Sequence, residues 1–267
     1  MTDNNENLAK IEEVANSILL ERRILEWRKK QYKTVNDIRY ALKPLINHMV
    51  CSMCENEGYD IDFKTVCEIG NNKKITNYSG SVSSLILARN LFRAIDYVIS
   101  AAAVKVPLTA NLVFMIHHIV SLGVTKFDSD YTRKYRFTSK EACSDINGVI
   151  KIVRQKYNVG DMMYPVAILL AEFRRCQPLE SFNKTVSRLL ANYYLLFNQC
   201  PPIEFYNTYD SVLDDSIEAS AFDDDLTETT DVLSYLLVST YEDFIEKKLI
   251  DLNEFYLENI EEKDYEK

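Results

Sequence analysis

The sequence predicts an all-α protein, and three observations carry that expectation. Helix breakers are scarce, with six glycines and six prolines among 267 residues. Long stretches place their apolar residues with a 3.6-residue period. No repeat of a length that would mark a solenoid is visible.

Taken in order, Leu8 to Lys30 reads as one amphipathic helix. Its apolar stripe runs through Ile11, Val14, Ile18 and Leu25, with Glu and Arg on the other side. Thr34 or Asn36 is placed to cap a second helix reaching about Cys54. Pro44 inside it predicts a kink or a split. Glu55 to Gly58 is a polar stop, Asp62 to Ile69 a short helix at most, and Gly70 to Gly80 a loop. Ser81 to Ala103 is strongly helical. Pro107 and Thr109 then open a helix that runs to about Leu122 and is ended by Gly123. Asp128 to Thr138 alternates polar and aromatic residues through Tyr131, Arg133, Tyr135 and Phe137, the pattern of a short β-hairpin near 130–138.

Ser139 to Tyr157 is helical again. Asp161 to Arg175 is apolar, helical and central, and a further helix runs from about Lys184 to Asn198, stopped by Pro201 and Pro202. Asp210 to Asp231 is acidic and poor in large apolar side chains, and reads as a flexible link. Val232 to Ile260 is helical, with Leu233, Leu236, Leu237, Tyr241 and Phe244 on one face, and Glu261 to Lys267 should fray. The predicted organisation is therefore an N-terminal helical region over 1–80 packing on a core over 81–209, an acidic linker over 210–231 and a C-terminal helical region over 232–267.

Hydrophobic residues make up 47% and charged residues 27%, ordinary for a globular chain, and the length supports a substantial core. The net charge of −9 argues against broad binding to nucleic-acid phosphates. The single basic run, Arg22 to Lys33, alternates with apolar residues as a solvated helix face does. Met1 to Asn7 is polar and lacks the apolar stretch of a signal peptide. The longest apolar run, Ile95 to Val106, is interrupted by Asp96 and Lys105 and is too short to span a bilayer. The expectation is a cytoplasmic protein with neither a nucleic-acid nor a membrane partner. Six cysteines do not make a dense disulfide framework, so reduced thiols are the default.

The chemistry-bearing stretch is Gln177 to Arg188, a polar loop in front of a helix. A helix N-terminus presents unpaired N–H groups and the positive end of its dipole, which favours anions. Arg188, one turn in, is placed to add a charge-assisted bond to a phosphate. The plainer reading is that Asn183 caps the helix and Arg188 pairs with a carboxylate, and the residues taken alone favour it.

A second constellation is His48, Cys51 and Cys54, with Cys67 further on, all zinc-ligand types at workable spacing. There is no second CxxC, and the stretch is apolar and helical, where small buried thiols are common. The expected metal content is none, with a zinc-supported helical module kept as an alternative. His117 and His118 point about 100° apart on a helix and are poorly placed to share a metal. No P-loop or Ser-His-Asp pattern is apparent.

The run Gln177-Pro178-Leu179-Glu180-Ser181-Phe182-Asn183-Lys184-Thr185-Val186-Ser187-Arg188-Leu189-Leu190 resembles the signature of the Fic-domain family. That signature is His-Pro-Phe-x-(Asp/Glu)-Gly-Asn-Gly-Arg-x-x-Arg, followed by a long apolar helix. The resemblance extends upstream. Asn90 to Ile95 is similar to the family's Asn-Tyr-x-x-Ala helix, and Leu108 to Val120 to its Leu-Thr and Ile-x-x-x-His helix. Tyr135-Arg136 resembles the Tyr-Arg of the family's flap hairpin, which docks target segments by strand addition. Roughly Ser81 to Phe205 is covered. The resemblance implies a Fic-like helical bundle with a short flap and extra flanking helices. It also implies an ancestry of transferring AMP, or another phosphate-containing group, from a nucleotide to a hydroxyl of a target protein.

The departures from the signature shape the functional expectation. Gln177 stands at the place of the general base and accepts no proton at neutral pH. Ser181 stands at the place of the Mg²⁺-holding acid, with Glu180 one position early. Phe182 and Lys184 replace the two glycines that let the backbone close around phosphates, and Thr185 replaces the first Arg. Pro178, Asn183 and Arg188 match. Loss of the base alone is worth ~10²–10⁴ in rate.

The implied function is a regulatory or protein-interaction module with a degenerate, catalytically inactive site. Asn183, Lys184 and Arg188 would be the remnant of an anion loop, with no cofactor and a protein partner. The alternative is an active transferase using ATP and Mg²⁺. The family's restraining helix, Ser/Thr-x-x-x-Glu-(Gly/Asn), is matched in its second half by Glu55-Asn56 and Glu57-Gly58. This makes Glu55 or Glu57 the expected partner of Arg188. Whether the chain forms a homo-oligomer is left open.

Overall fold

Helices begin where short polar side chains can take up orphan backbone N–H groups. The computed structural model describes residues 18–30, 34–76, 78–124, 140–155, 162–205, 207–223 and 225–246. The hairpin expected near 130–138, with Tyr135 and Arg136, lies outside them. Helix α1 covers 18–29. Thr34 then caps α2 (Val35–Asn56) in a reciprocal box: its hydroxyl accepts from the Asp37 N–H while its own N–H donates to Asp37. Asp62 caps α3 (Phe63–Gly70), Ser81 caps α4 (Val82–Ala103) and Thr109 caps α5 (Ala110–Ser121). Next come α6 (Lys140–Gln155), α7 (Met163–Cys176), α8 (Asn183–Phe197), α9 (Asn207–Asp223) and α10 (Thr227–Thr240). A π-helical turn, Tyr241–Glu246, continues α10. No strand is present among the described residues, and no helix among them is long and apolar enough to cross a membrane.

The bundle is organised around α4, α7 and α8. Helix α4 packs on α2, α5 and α8, while α7 packs on α6, α8, α9 and α10. Every residue of α8 from Thr185 to Leu195 is buried. A helix buried all round must satisfy its polar groups internally. The Asn192 amide does so by donating to the Ile203 carbonyl (3.0 Å) and accepting from the Ile203 N–H (2.7 Å), while Tyr193 donates to the Val106 carbonyl. Asn192 thereby clamps the segment 200–205, which has no regular hydrogen-bond ladder and is nonetheless buried along its length.

Three expectations are corrected. Of the kink or split expected at Pro44, the split does not occur: the helix is continuous from Val35 to Asn56. The proline removes one ladder bond, to the carbonyl of Tyr40, a residue whose side chain is exposed. In α1 the buried face is Arg23, Ile24 and Trp27, whereas Ile18 and Leu25 face solvent. The stripe is rotated because Arg23 is paired and so joins the inner face.

The third correction concerns 210–231, where a flexible link was expected. Helix α9 and the first turn of α10 occupy it. Leu213 and Ile217, four apart, are buried with Ser216 and Ser220. This narrow stripe suffices because small residues let α9 lie close to its neighbours. Its Ser220 hydroxyl meets that of Thr229 on α10 at 2.8 Å.

Candidate functional site

The turn between α7 and α8 holds the residues singled out by sequence. Two non-glycine residues with left-handed backbone bracket it: Gln177 (φ 38°, ψ 60°) ends α7, and Phe182 (φ 59°, ψ 24°) starts α8. Such a conformation costs about 1–3 kcal/mol in a residue with a Cβ. Phe182 stands where the family signature has its first glycine. The backbone thus keeps the glycine-like geometry without the glycine. Burying the Phe182 ring, worth roughly 1.5–3 kcal/mol, offsets the strain, since the residue is 7% exposed.

Asn183 does not cap the helix; Phe182 holds the N-cap position and makes no side-chain cap bond. The Asn183 amide instead closes the loop, accepting from the Leu179 N–H (2.9 Å) and donating to the Leu179 carbonyl (2.8 Å). Pro178 and Leu179 are buried below, while Gln177 and Glu180 are exposed.

The cations of the site are Lys184 and Arg188, and both are occupied by α9. Lys184 Nζ lies 2.5 Å from Asp210 Oδ2 and 2.6 Å from Asp214 Oδ2. Arg188 Nη2 pairs with Asp210 Oδ1 and lies 3.5 Å from Asp214 Oδ1. Its guanidinium also sits 5.1 Å from the centre of the Phe205 ring, a cation–π distance. Burial alone would raise the Asp210 carboxyl, but Arg188 and Lys184 outweigh it and hold that carboxyl below its ordinary value. What remains open between Gln177, Asn183, Lys184, Arg188 and Asp214 is a cavity of ≈ 60 Å³.

The expected tie between Arg188 and Glu55 or Glu57 is absent. Glu57 accepts from the Thr185 hydroxyl at 2.5 Å, and Glu55 meets Cys51 Sγ at 3.8 Å. The end of α2 therefore reaches α8 one turn short of Arg188. Asp210 and Asp214 are not legible as partners of Arg188 because their stretch has the acidic composition of a solvated link. The usable signal was the register of Leu213 and Ile217, which sets Asp210 and Asp214 together beside the buried stripe.

Two further titratable groups are buried in the interior. His117 is buried, with the backbone of Ser181 facing it. Burial lowers its pKa to about 4, so it is neutral at pH 7. Glu204, likewise not legible in the sequence, is 1% exposed and accepts from the Ser52 hydroxyl at 2.6 Å.

His48, Cys51, Cys54 and Cys67 do not converge. His48 packs against the Phe63 and Phe244 rings, at 4.5 and 4.8 Å between centroids, and Cys54 is fully buried. Among the described residues, no group of three or more His, Cys, Asp or Glu side chains is arranged to hold a metal.

No protein-family model and no curated protein sequence matches the chain. Solved structures do match its fold. Fic-1 (residues 134–508) from C. elegans superposes with a TM-score of 0.70 at 12% identity, over 90% of this chain and 73% of that one. A Fic-domain-containing signaling protein from Bacteroides thetaiotaomicron gives 0.67 at 13%, over 85% and 96%. A Fic family protein from Desulfovibrio desulfuricans gives 0.60 at 13%, over 88% and 74%. The chain has a Fic-like, all-α fold.

Proposed function

We propose that this chain is a Fic-fold module that does not transfer AMP and works through protein contacts, in a regulatory or binding role. The observation that carries this reading is the occupation of Lys184 and Arg188 by Asp210 and Asp214 of the same chain. The charges that would face nucleotide phosphates are spent on holding α9. The cavity left beside them, ≈ 60 Å³, is far below the ~300–1,000 Å³ typical of small-molecule sites.

The residue chemistry supports the same reading. Gln177 cannot act as a base, Ser181 brings no charge to a metal, and His117 is held neutral below the loop. Helix α9 belongs to a stretch suited to protein contacts. Residues 207–231 carry nine of the 40 acidic residues and none of the 31 Lys and Arg, which accounts for the whole net charge of −9.

Labelled ATP with Mg²⁺ and a cell lysate tests the proposal. No label on the chain or on lysate proteins is expected, and millimolar ATP should leave the melting temperature unchanged. Incorporation of label that disappears in Arg188→Ala would establish the transferase reading instead.

A further inference from the structure

Glu204 takes no part in the reading above, yet it is a carboxyl in the interior. It lies in the extended segment 200–205, with Oε1 accepting from Ser52 of α2 and its backbone N–H donating to Thr240 of α10 at 2.9 Å. Oε2 is buried with no hydrogen-bond partner among the described residues. The next residue, Phe205, carries the Arg188 guanidinium on its ring. Arg188 gives Nη2 to Asp210, while Nη1 is buried and likewise without a partner among the described residues. An orphaned donor and an orphaned acceptor thus belong to two interior groups that feel each other's charge. Leaving either unsatisfied is unfavourable, and an ionised Glu204 would be an acceptor of the kind Nη1 lacks.

We propose that Glu204 and the α9 carboxylates compete for Arg188, so that release of α9 and ionisation of Glu204 are coupled. While Asp210 and Asp214 hold the guanidinium, its charge is offset and Glu204 keeps its proton. When α9 is drawn off, Glu204 gives that proton to bulk water and takes over Arg188. A partner that binds the acidic face of α9 would therefore release a proton as it does so.

The surroundings of Glu204 support this. From α2 it accepts from the Ser52 hydroxyl, and the Cys51 thiol that feels its charge is pushed up by burial to about 11 and so stays neutral. Glu57 is engaged by Thr185. From α8 the charged group is Arg188, with Lys184 turned to α9. From α10 there is a hydroxyl, Thr240. Burial pushes the Glu204 carboxyl up to about 8, against the pull of Ser52 and Arg188, so the competition falls close to neutral pH.

This inference rests on reading Lys184 and Arg188 as serving α9, but its test needs no nucleotide. Binding of ATP would sink that reading without moving the result here. Carbon-13 NMR of the glutamate-labelled full chain, with Glu204→Gln assigning the 204 carboxyl, gives its titration midpoint. In Asp210→Asn/Asp214→Asn the midpoint should fall by at least one pH unit, and an unchanged or raised midpoint overturns the proposal. If the double variant does not fold, hydrogen exchange of the α9 amides decides, corrected for intrinsic rates. Protection over 207–223 should fall at least tenfold through the titration in the parent and stay flat in Glu204→Gln. Equal profiles overturn it.

Discussion

Two buried arginines in this molecule are held in the same way, and they differ in depth. Arg188 on α8 is met by Asp210 and Asp214, four residues apart on α9, and lies over Phe205. Arg23 on α1 is met by Glu242 and Glu246, four apart on the π-helical turn, and by Glu26 of its own helix. It lies 5.5 Å from the Tyr241 ring centre. The Arg188 side chain is 2% exposed, with its nearer carboxylate Asp210 at 18% and Asp214 at 44%, whereas Arg23 is 11% exposed and its carboxylates 28–45%. An isolated charge in the interior is expensive, while one near water is hydrated when its partner goes. The Arg188 pair should therefore behave as a structural tie of the core and the Arg23 pair as a fastening of the C-terminal turn onto α1.

The largest expected effect is that of Arg188→Ala. It strips Asp210 of its main counter-charge and opens a cavity against Phe205, so the cost should be ~3–5 kcal/mol. At ~2–4 °C per kcal/mol for a chain of this size, the melting temperature should fall by roughly 10 °C. Thermal melts of Arg188→Ala and Arg23→Ala side by side check the comparison directly. Equal losses would break it.

Glu204→Gln reports on the surroundings of Arg188 through pH. The folded carboxyl is raised to about 8, against about 4.3 in an unfolded chain. Below the lower value both states are protonated. Between the two the unfolded chain ionises while the folded one keeps its proton. Stability should then fall with rising pH at up to about 1.4 kcal/mol per unit and level off above the folded pKa. Denaturant titrations across that window should show the slope in the parent and lose it in Glu204→Gln. A parent whose stability is flat there would mean that Glu204 is already ionised in the fold.

The sequence made the helices legible and left the ion pairs obscure, for a physical reason. Thr34, Ser81 and Thr109 announce helix starts because capping is local. The loop from Gln177 to Arg188 was legible because its spacing is local too. The partners of Arg188 lie 22 and 26 residues away, across a stretch whose acidity resembled a solvated linker. Only the pair Leu213 and Ile217 betrays that α9 is packed. Glu57, expected with Glu55 as a partner of Arg188, instead meets Thr185, because the side chain at the end of α2 reaches only the first turn of α8. The buried face of α1 differs from the apolar stripe expected through Ile18 and Leu25 because the paired Arg23 shares the inner face with Ile24 and Trp27.

Asp210→Asn should cost less than Arg188→Ala, since Asp214 remains within 3.5 Å of the guanidinium. The sign with pH is opposite to that of Glu204. Asp210 is held below its ordinary value, so it adds stability above its unfolded pKa and loses it as pH falls through the folded one. Asp210→Asn should therefore be destabilised near neutrality and match the parent in acid, as denaturant midpoints at both pH values would reveal. A deficit that persists in acid would point to packing rather than charge.

The smallest effect belongs to Arg23→Ala. Two of its three carboxylates are more than a third exposed, so solvent screens them and takes over their hydration when the arginine is gone. Burial of Arg23 itself works against its charge, but Glu242 and Glu26 outweigh that, and its pKa is raised. The net worth of such a rim pair is ~0–1 kcal/mol, and it should shrink as salt is added. Loss of the burial of the Arg23 stem, in a residue 9% exposed, is independent of salt. Melting the parent and Arg23→Ala at low and high salt separates the two. A gap of a few degrees that narrows in salt places the pair at the surface, as its exposure indicates. A gap as wide as that of Arg188→Ala, and indifferent to salt, would mean that depth does not distinguish the two arginines.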